Sequence, residues 1–221
     1  MSIVIGLTGQ SGAGKTLVSK VFEESGFGVI NCDMAAREVT EAGSECNREL
    51  AKIFPECFDD DLVLDRRALG RIVFGDREKL DILNDVIFRY INTLLDKKIS
   101  EYSRNSGYVV LDAPTLFEAG ADRKCDVIVS VTADEETRLR RITSRDGLDE
   151  ESVRKRFASQ HDQEFFERSS SYVIRNDDDS EDAVRQTLDI IDKIKEGKIG
   201  SIHNKKKDGS KETEKKEKLC P

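Results

Sequence analysis

The stretch from Ile3 to Thr16 constrains the fold more than any other part of the chain. Ile3 to Leu7 is a short apolar run rich in β-branched residues. It passes through Thr8 straight into Gly9-Gln10-Ser11-Gly12-Ala13-Gly14-Lys15-Thr16, which satisfies G-x-x-x-x-G-K-[ST] in full. Val18, Val21 and Phe22 then recur at helical spacing, and Gly26 stands where a helix stops. Phe27 to Asn31 reads as a second strand. A strand, loop, helix, strand unit needs a crossover and therefore a parallel sheet. The loop's residue types carry the chemistry. Glycines let the backbone turn its N–H groups inward into an anion-binding nest, and the helix that follows adds its positive end. Lys15 reaches the β- and γ-phosphates, and the Thr16 hydroxyl ligates Mg²⁺. The motif predicts an ATP site with Gly9, Ser11, Gly12, Ala13, Gly14, Lys15 and Thr16 around the phosphates.

The rest of the chain extends this unit. From Met34 to about Ser106 the pattern is mostly helical, with apolar residues at three and four spacing in Arg48 to Phe54, Arg66 to Val73 and Arg77 to Tyr102. No convincing strand interrupts it, so a helical insertion standing over the sheet is expected. Tyr108 to Leu111 and Asp126 to Val131 are near-continuous apolar runs, as strands buried on both faces should be. Glu135 to Thr143 and Asp149 to Ser159 read as helices, the second with an Asp cap. Tyr172 to Ile174 is a fifth strand, and Glu181 to Lys195 is a closing amphipathic helix. Residues 198–221 hold eight lysines and four acids with little that is apolar, a tail expected to be disordered.

Composition narrows the class. The 221 residues suit one domain with an inserted subdomain. Charged residues make up 36% against a usual ~25%. The net charge of −8 offers no long-range attraction to nucleic acid or anionic membrane. Five widely spaced cysteines and two histidines form no zinc pattern and no disulfide framework, so reduced thiols in a cytoplasmic protein are expected. A strand starting almost at Met1 leaves no room for a signal peptide, and no apolar run approaches a membrane span.

A phosphate loop alone does not separate kinases from GTPases or motor ATPases. Guanine readers of the form N-K-x-D or T-K-x-D are lacking. Asn204-Lys205-Lys206-Lys207 has no Asp, and Thr143-Ser144-Arg145-Asp146 has no Lys. Asp33 lies just past the second strand, at the edge where ligands of open α/β sheets bind. It reads equally as a base for an acceptor hydroxyl or as a cap for a helix over Met34 to Val39. Arg138, Arg141 and Arg145 fall on one helix face, and Arg154 and Arg156 follow. Arginines clustered about Asp146-Gly147 resemble a closing lid that stabilises charge on a transferring phosphoryl group.

With these pieces in place the sequence resembles the dephospho-coenzyme A kinase family from Ile3 to about Ile194. The matching stretches are Gly6-Leu7-Thr8-Gly9 with Gly14-Lys15-Thr16, Asp33 with Ala36-Arg37-Glu38-Val39, and Leu64-Asp65-Arg66 with Leu69-Gly70 and Val73-Phe74. Further on come Asp112-Ala113-Pro114 with Leu116-Phe117-Glu118, then Arg141 with Arg145-Asp146-Gly147-Leu148, Arg156, Ser159-Gln160, and Val173-Ile174 with Asn176. The resemblance implies transfer of the ATP γ-phosphate to the ribose 3′-hydroxyl of dephospho-CoA. It makes Asp33 the general base and sets Arg66 near the acceptor and the transferring phosphate, with Leu116 and Glu118 on the acceptor side. Arg141 and Arg145 belong to the lid, Asn176 lies near the adenine, and Asp112 stands near Mg²⁺. Phe88-Arg89 replaces a usual His-Pro, Thr115 a usual Leu, and Ser171 a usual Asp.

The expectation is an α/β P-loop kinase with a five-stranded parallel sheet. Residues 1–33 and 107–196 form the core, with a lid at about 134–160. Residues 34–106 form the acceptor-binding insertion, and 197–221 the tail. ATP with Mg²⁺ and dephospho-CoA are the expected ligands, and the protein is a monomer or small homo-oligomer. Another small-molecule kinase, such as a nucleoside or nucleotide kinase, is the alternative, and a nucleotide-binding protein without transfer chemistry the more distant one.

Overall fold

The computed structural model describes residues 2–73, 75–104, 106–177 and 179–198. Five parallel strands form one sheet: β1 (Ile3–Gly9), β2 (Gly28–Asn31), β3 (Tyr108–Asp112), β4 (Val127–Thr132) and β5 (Tyr172–Arg175). Their order is β2-β3-β1-β4-β5. All five expected strands are present, with ends shifted by at most two residues. The helices are α1 (Lys15–Glu24), α2 (Cys32–Val39), α3 (Glu45–Ile53), α4 (Arg66–Val73), α5 (Arg77–Ser103), α6 (Glu135–Asp146), α7 (Glu150–Ala158), α8 (Gln163–Ser169) and α9 (Ser180–Lys195).

Alternation along the strands divides the core. Ile5 and Leu7 of β1, with Val127, Val129 and Val131 of β4, face Val18 and Phe22 of α1 and Ile190, Ile191 and Ile194 of α9. Val4, Val109, Leu111 and Ile128 point the other way, against Ile91 and Leu95 of α5. Strands covered on both faces have no polar side to show, which is why they read as continuous apolar runs.

The insertion has a core of its own, built from Cys46, Leu50, Phe54, Cys57, Leu69, Val73, Leu83 and Val86. Helix α5 serves both cores. At 1.5 Å per residue its 27 residues reach roughly 40 Å. Leu83 and Val86 at its start pack in the insertion, while Ile91 and Leu95 lie on the sheet.

Three local readings differ from the sequence expectation. α2 begins at Cys32, capped by Asn31, whose side chain accepts from the Met34 amide. Asp33 is therefore not the cap. α6 continues past Thr143 to Asp146, ended by Gly147 in the left-handed region (φ 66°). α8 was not anticipated; at seven residues it is too short to show a helical period, although Asp162 caps it. Asp149 does cap α7, accepting from the Ser152 amide.

Cys32, Cys46, Cys57 and Cys125 are free thiols. Among the described residues no helix is long and apolar enough to cross a membrane. Phe74, Cys220 and the Lys-rich tail from residue 199 lie outside the described residues.

Candidate active site

Register assembles the site. Leu7 of β1 and Asn31 of β2 both pair with Asp112 of β3, so the strand ends lie level. The loop after β1, Asp33 in the first turn of α2 and the Asp112 carboxylate thus share the carboxyl edge of the sheet, where ligands of open α/β sheets bind. Lys15, the first residue of α1, bends back so that its ammonium pairs with the Asp112 carboxylate. Both side chains are largely shielded, at 19% and 8% exposure. Asp33 is exposed. The Cys32 thiol lies among these groups. Burial, then the Asp112 and Asp33 carboxylates, push it up to about 12, and Lys15 opposes them.

The phosphate loop is held from beneath. Asn176, just past β5, is 3% exposed, and its Nδ2 donates to the Ala13 carbonyl at 2.7 Å. Arg141 donates from Nη1 to the carbonyls of Gly12 (3.4 Å) and Asn176 (2.8 Å), and from Nη2 to that of Asp177 (2.9 Å). Asn176 thus braces the loop backbone through its Nδ2. Gly14 has φ +95°, and a Cβ there would stand 2.1 Å from the Asn176 amide nitrogen. Within the loop, Gln10 N donates to Val131 O and Ala13 N to Gln10 O. No acceptor is found among the described residues for the amides of Gly12, Gly14, Lys15 and Thr16. Unpaired amides leading into a helix start are the makings of an anion site.

The three arginines expected on one lid face have different surroundings. Arg138 is 7% exposed, with its guanidinium 4.1 Å from the Phe157 ring and Nε donating to Ala133 O. Arg141 is clamped under the loop. Arg145 is exposed and pairs with Asp146, which also takes Arg156. The hydrogen bond from Arg145 leads in holding the Asp146 carboxyl down at about 2. Between this segment and the loop lies a cleft of about 570 Å³ whose lining includes Gln10, Arg138, Arg154, Phe157, Gln160 and His161.

Of the residues expected to meet an acceptor, Arg66 donates from Nη2 to the Thr40 hydroxyl at 2.7 Å, just past the C-terminal end of the helix that begins beside Asp33. Leu116 is wholly buried; its methyl groups fill the space where a Gly6 side chain would stand. It can affect an acceptor only by holding the turn that follows Pro114. Glu118 is exposed and lies 3.7 Å from His161, whose ring stacks on Phe165 at 3.7 Å. Phe88, Arg89 and Ser171 each have local contacts, and nothing in the structure explains Thr115. Arg89 binds Glu49 of α3 (2.7 Å), and Phe88 packs beside the α5 sheet contacts. The Ser171 hydroxyl accepts from Ile128 N.

Thr16 and Asp112 offer hard oxygen donors of the kind Mg²⁺ takes together with phosphate oxygens. The donor set fits the ion, and the Asp112 carboxylate is paired with Lys15. Gln160, just past α7, bonds the phosphate loop through both ends of its carboxamide. Its Oε1 accepts from Ser11 N at 3.2 Å, and its Nε2 donates to Ser11 Oγ at 2.8 Å. Local pattern gives no signal for a contact between groups 149 residues apart.

A family model described as dephospho-CoA kinase matches residues 3–182. The dephospho-CoA kinase of Shouchella clausii is 35% identical over 192 residues, covering 86% of this chain and 97% of that protein. A solved structure from Thermus thermophilus is similar with a TM-score of 0.77 and 32% identity, covering 86% of this chain and 96% of its own. A dephospho-CoA kinase structure from Campylobacter jejuni is similar with a TM-score of 0.67 and 25% identity, over 90% and 100%.

Proposed function

This chain belongs to the dephospho-CoA kinase family and is an ATP-dependent kinase, and we propose that it transfers the γ-phosphate of ATP to the ribose 3′-hydroxyl of dephospho-CoA. The single observation that supports this most is the shared strand edge, which brings Lys15, Asp112 and Asp33 around Cys32. ATP lays its phosphates on the amides of Gly12, Gly14, Lys15 and Thr16, and Lys15 leaves Asp112 for the β- and γ-phosphates. The freed Asp112 and the Thr16 hydroxyl would hold Mg²⁺, which would supply charge neutralisation on the phosphates. Asp33 accepts the proton of the 3′-hydroxyl as its oxygen bonds to the γ-phosphorus. The bond to the β–γ bridging oxygen breaks, and ADP leaves with that electron pair. Arg66 orients the acceptor and Arg145 steadies the transferring group, while Arg141 acts on ATP through the loop it braces. Glu118 faces the acceptor, and the helical insertion of 34–106 receives the rest of it.

The reading carries two further expectations, a cytoplasmic enzyme and a monomer or small homo-oligomer. Purified chain with Mg-ATP and dephospho-CoA is expected to yield ADP and coenzyme A. Turnover with nucleosides or nucleotides, and none with dephospho-CoA, would give the acceptor site to the rival kinase reading.

A further inference from the structure

We propose that Thr40 is a positioning residue for the acceptor: its hydroxyl holds the Arg66 guanidinium at a set place relative to the helix that carries Asp33. This deepens the kinase reading and rests on its assignment of Arg66 to the acceptor and of Asp33 to the proton.

The two groups to be aligned stand on different helices. Asp33 lies in the first turn of α2, and Arg66 is the first residue of α4. The helices pack in different cores: Ala35 of α2 is buried on the sheet face, while Leu69 and Val73 of α4 are buried in the insertion. Asp33 and Arg66 are both exposed. A long arginine side chain at a surface has many rotamers, so helix packing alone does not place its head group. The bond from Arg66 Nη2 to Thr40 Oγ1, at 2.7 Å, does so across 26 positions of chain.

Thr40 is suited to that partner. It is the C-cap of α2 and is 6% exposed. Its hydroxyl donates back into the helix, to Ala36 O at 2.9 Å with Arg37 O at 3.3 Å. A threonine hydroxyl has one proton and two lone pairs. With the proton committed to the helix, the oxygen can only accept, and a guanidinium can only donate. One residue holds the backbone on both sides of the bond. Asn47 of α3 is fully buried, and its Nδ2 donates to Thr40 O at 3.3 Å and to Leu62 O at 2.9 Å. The turn after α2 is thereby tied to the segment that leads into α4. The Asp65 carboxylate accepts from the amides of Arg67 and Ala68, which fixes the start of α4 around Arg66. Among the described residues, Arg66 Nε and Nη1 have no partner. The fork is therefore anchored at one nitrogen and keeps donors for an acceptor.

Steady-state kinetics on the full chain with Mg-ATP and dephospho-CoA tests this. Thr40→Val keeps the shape and removes the lone pairs. It is expected to raise the KM for dephospho-CoA roughly three- to tenfold, the change that one hydrogen bond brings, with the KM for ATP unmoved. Thr40→Ser keeps the hydroxyl and is expected to keep the wild-type KM. A threonine that only capped α2 would act whether or not Arg66 were present, so a double-mutant cycle decides between the two roles. Arg66→Met is expected to raise the dephospho-CoA KM, and adding Thr40→Val to it is expected to raise it no further. An unchanged KM in Thr40→Val would overturn the positioning role. So would a raised KM in Thr40→Ser, or an equal effect of Thr40→Val in the Arg66→Met background. With wild type still phosphorylating dephospho-CoA, any of these leaves the kinase reading standing. Arg66→Met with the wild-type KM would take Arg66 off the acceptor and the role of Thr40 with it. A wild type that does not phosphorylate dephospho-CoA sinks both readings.

Discussion

Gly14 carries two constraints at once. Its backbone sits at φ +95°, and the Asn176 amide occupies the place of its missing Cβ. Gly14→Ala would incur the left-handed penalty of about 1–2 kcal/mol and push Asn176 off the Ala13 carbonyl. We expect ATP affinity to fall more than tenfold, measured by calorimetry, while the melting transition remains cooperative. The glycine's need was legible from the motif. Its partner was not, because Ala13 and Asn176 are 163 residues apart and meet only once β5 has joined the sheet. Asp33 shows the same division. Its position after a strand left base and cap equally open, and the structure assigns the cap to Asn31. Asp33→Asn is expected to lower turnover roughly 10²–10⁴-fold, the usual share of a general base, with ATP affinity unchanged. An unchanged rate in steady-state assays would remove Asp33 from the chemistry.

At the scale of elements, helical periodicity placed α4, α5, α7 and α9 well, because each buries one face against a neighbour. It could not show what the arginines of α6 do. Arg138, Arg141 and Arg145 share a face in spacing, yet one is buried on Phe157, one braces the loop and one pairs with Asp146. Asp146 holds both Arg145 and Arg156, tying the end of α6 to α7. Its folded pKa, about 2, lies below the unfolded value of about 3.9. The sign follows from linkage: the stability it adds is full above about pH 4 and is lost as the pH falls toward 2. Asp146→Asn is therefore expected to be less stable than wild type at neutral pH, with the gap closing between about pH 4 and pH 2. Urea midpoints taken across that range check it, and a gap independent of pH would disprove it.

For the whole molecule, α5 is the member that joins two cores. Leu50 belongs to the insertion and Leu95 to the sheet face, and both are essentially fully buried. Replacing either by Ala is expected to cost about 2–5 kcal/mol. Because α5 is continuous through both cores, each variant is expected to unfold in a single transition by urea titration followed by circular dichroism. Two separate transitions would show that the insertion folds independently. The parallel sheet, the phosphate loop and the helical character of the insertion were written in local pattern: apolar runs, glycine spacing and helical period depend on neighbours within a few turns. Tertiary structure alone decided the Lys15–Asp112 pair, the bracing of the loop by Asn176 and Arg141, the burial of Leu116 and the Gln160–Ser11 tie. These contacts join segments far apart in the chain. Their existence depends on strand register and helix packing, which no local pattern encodes.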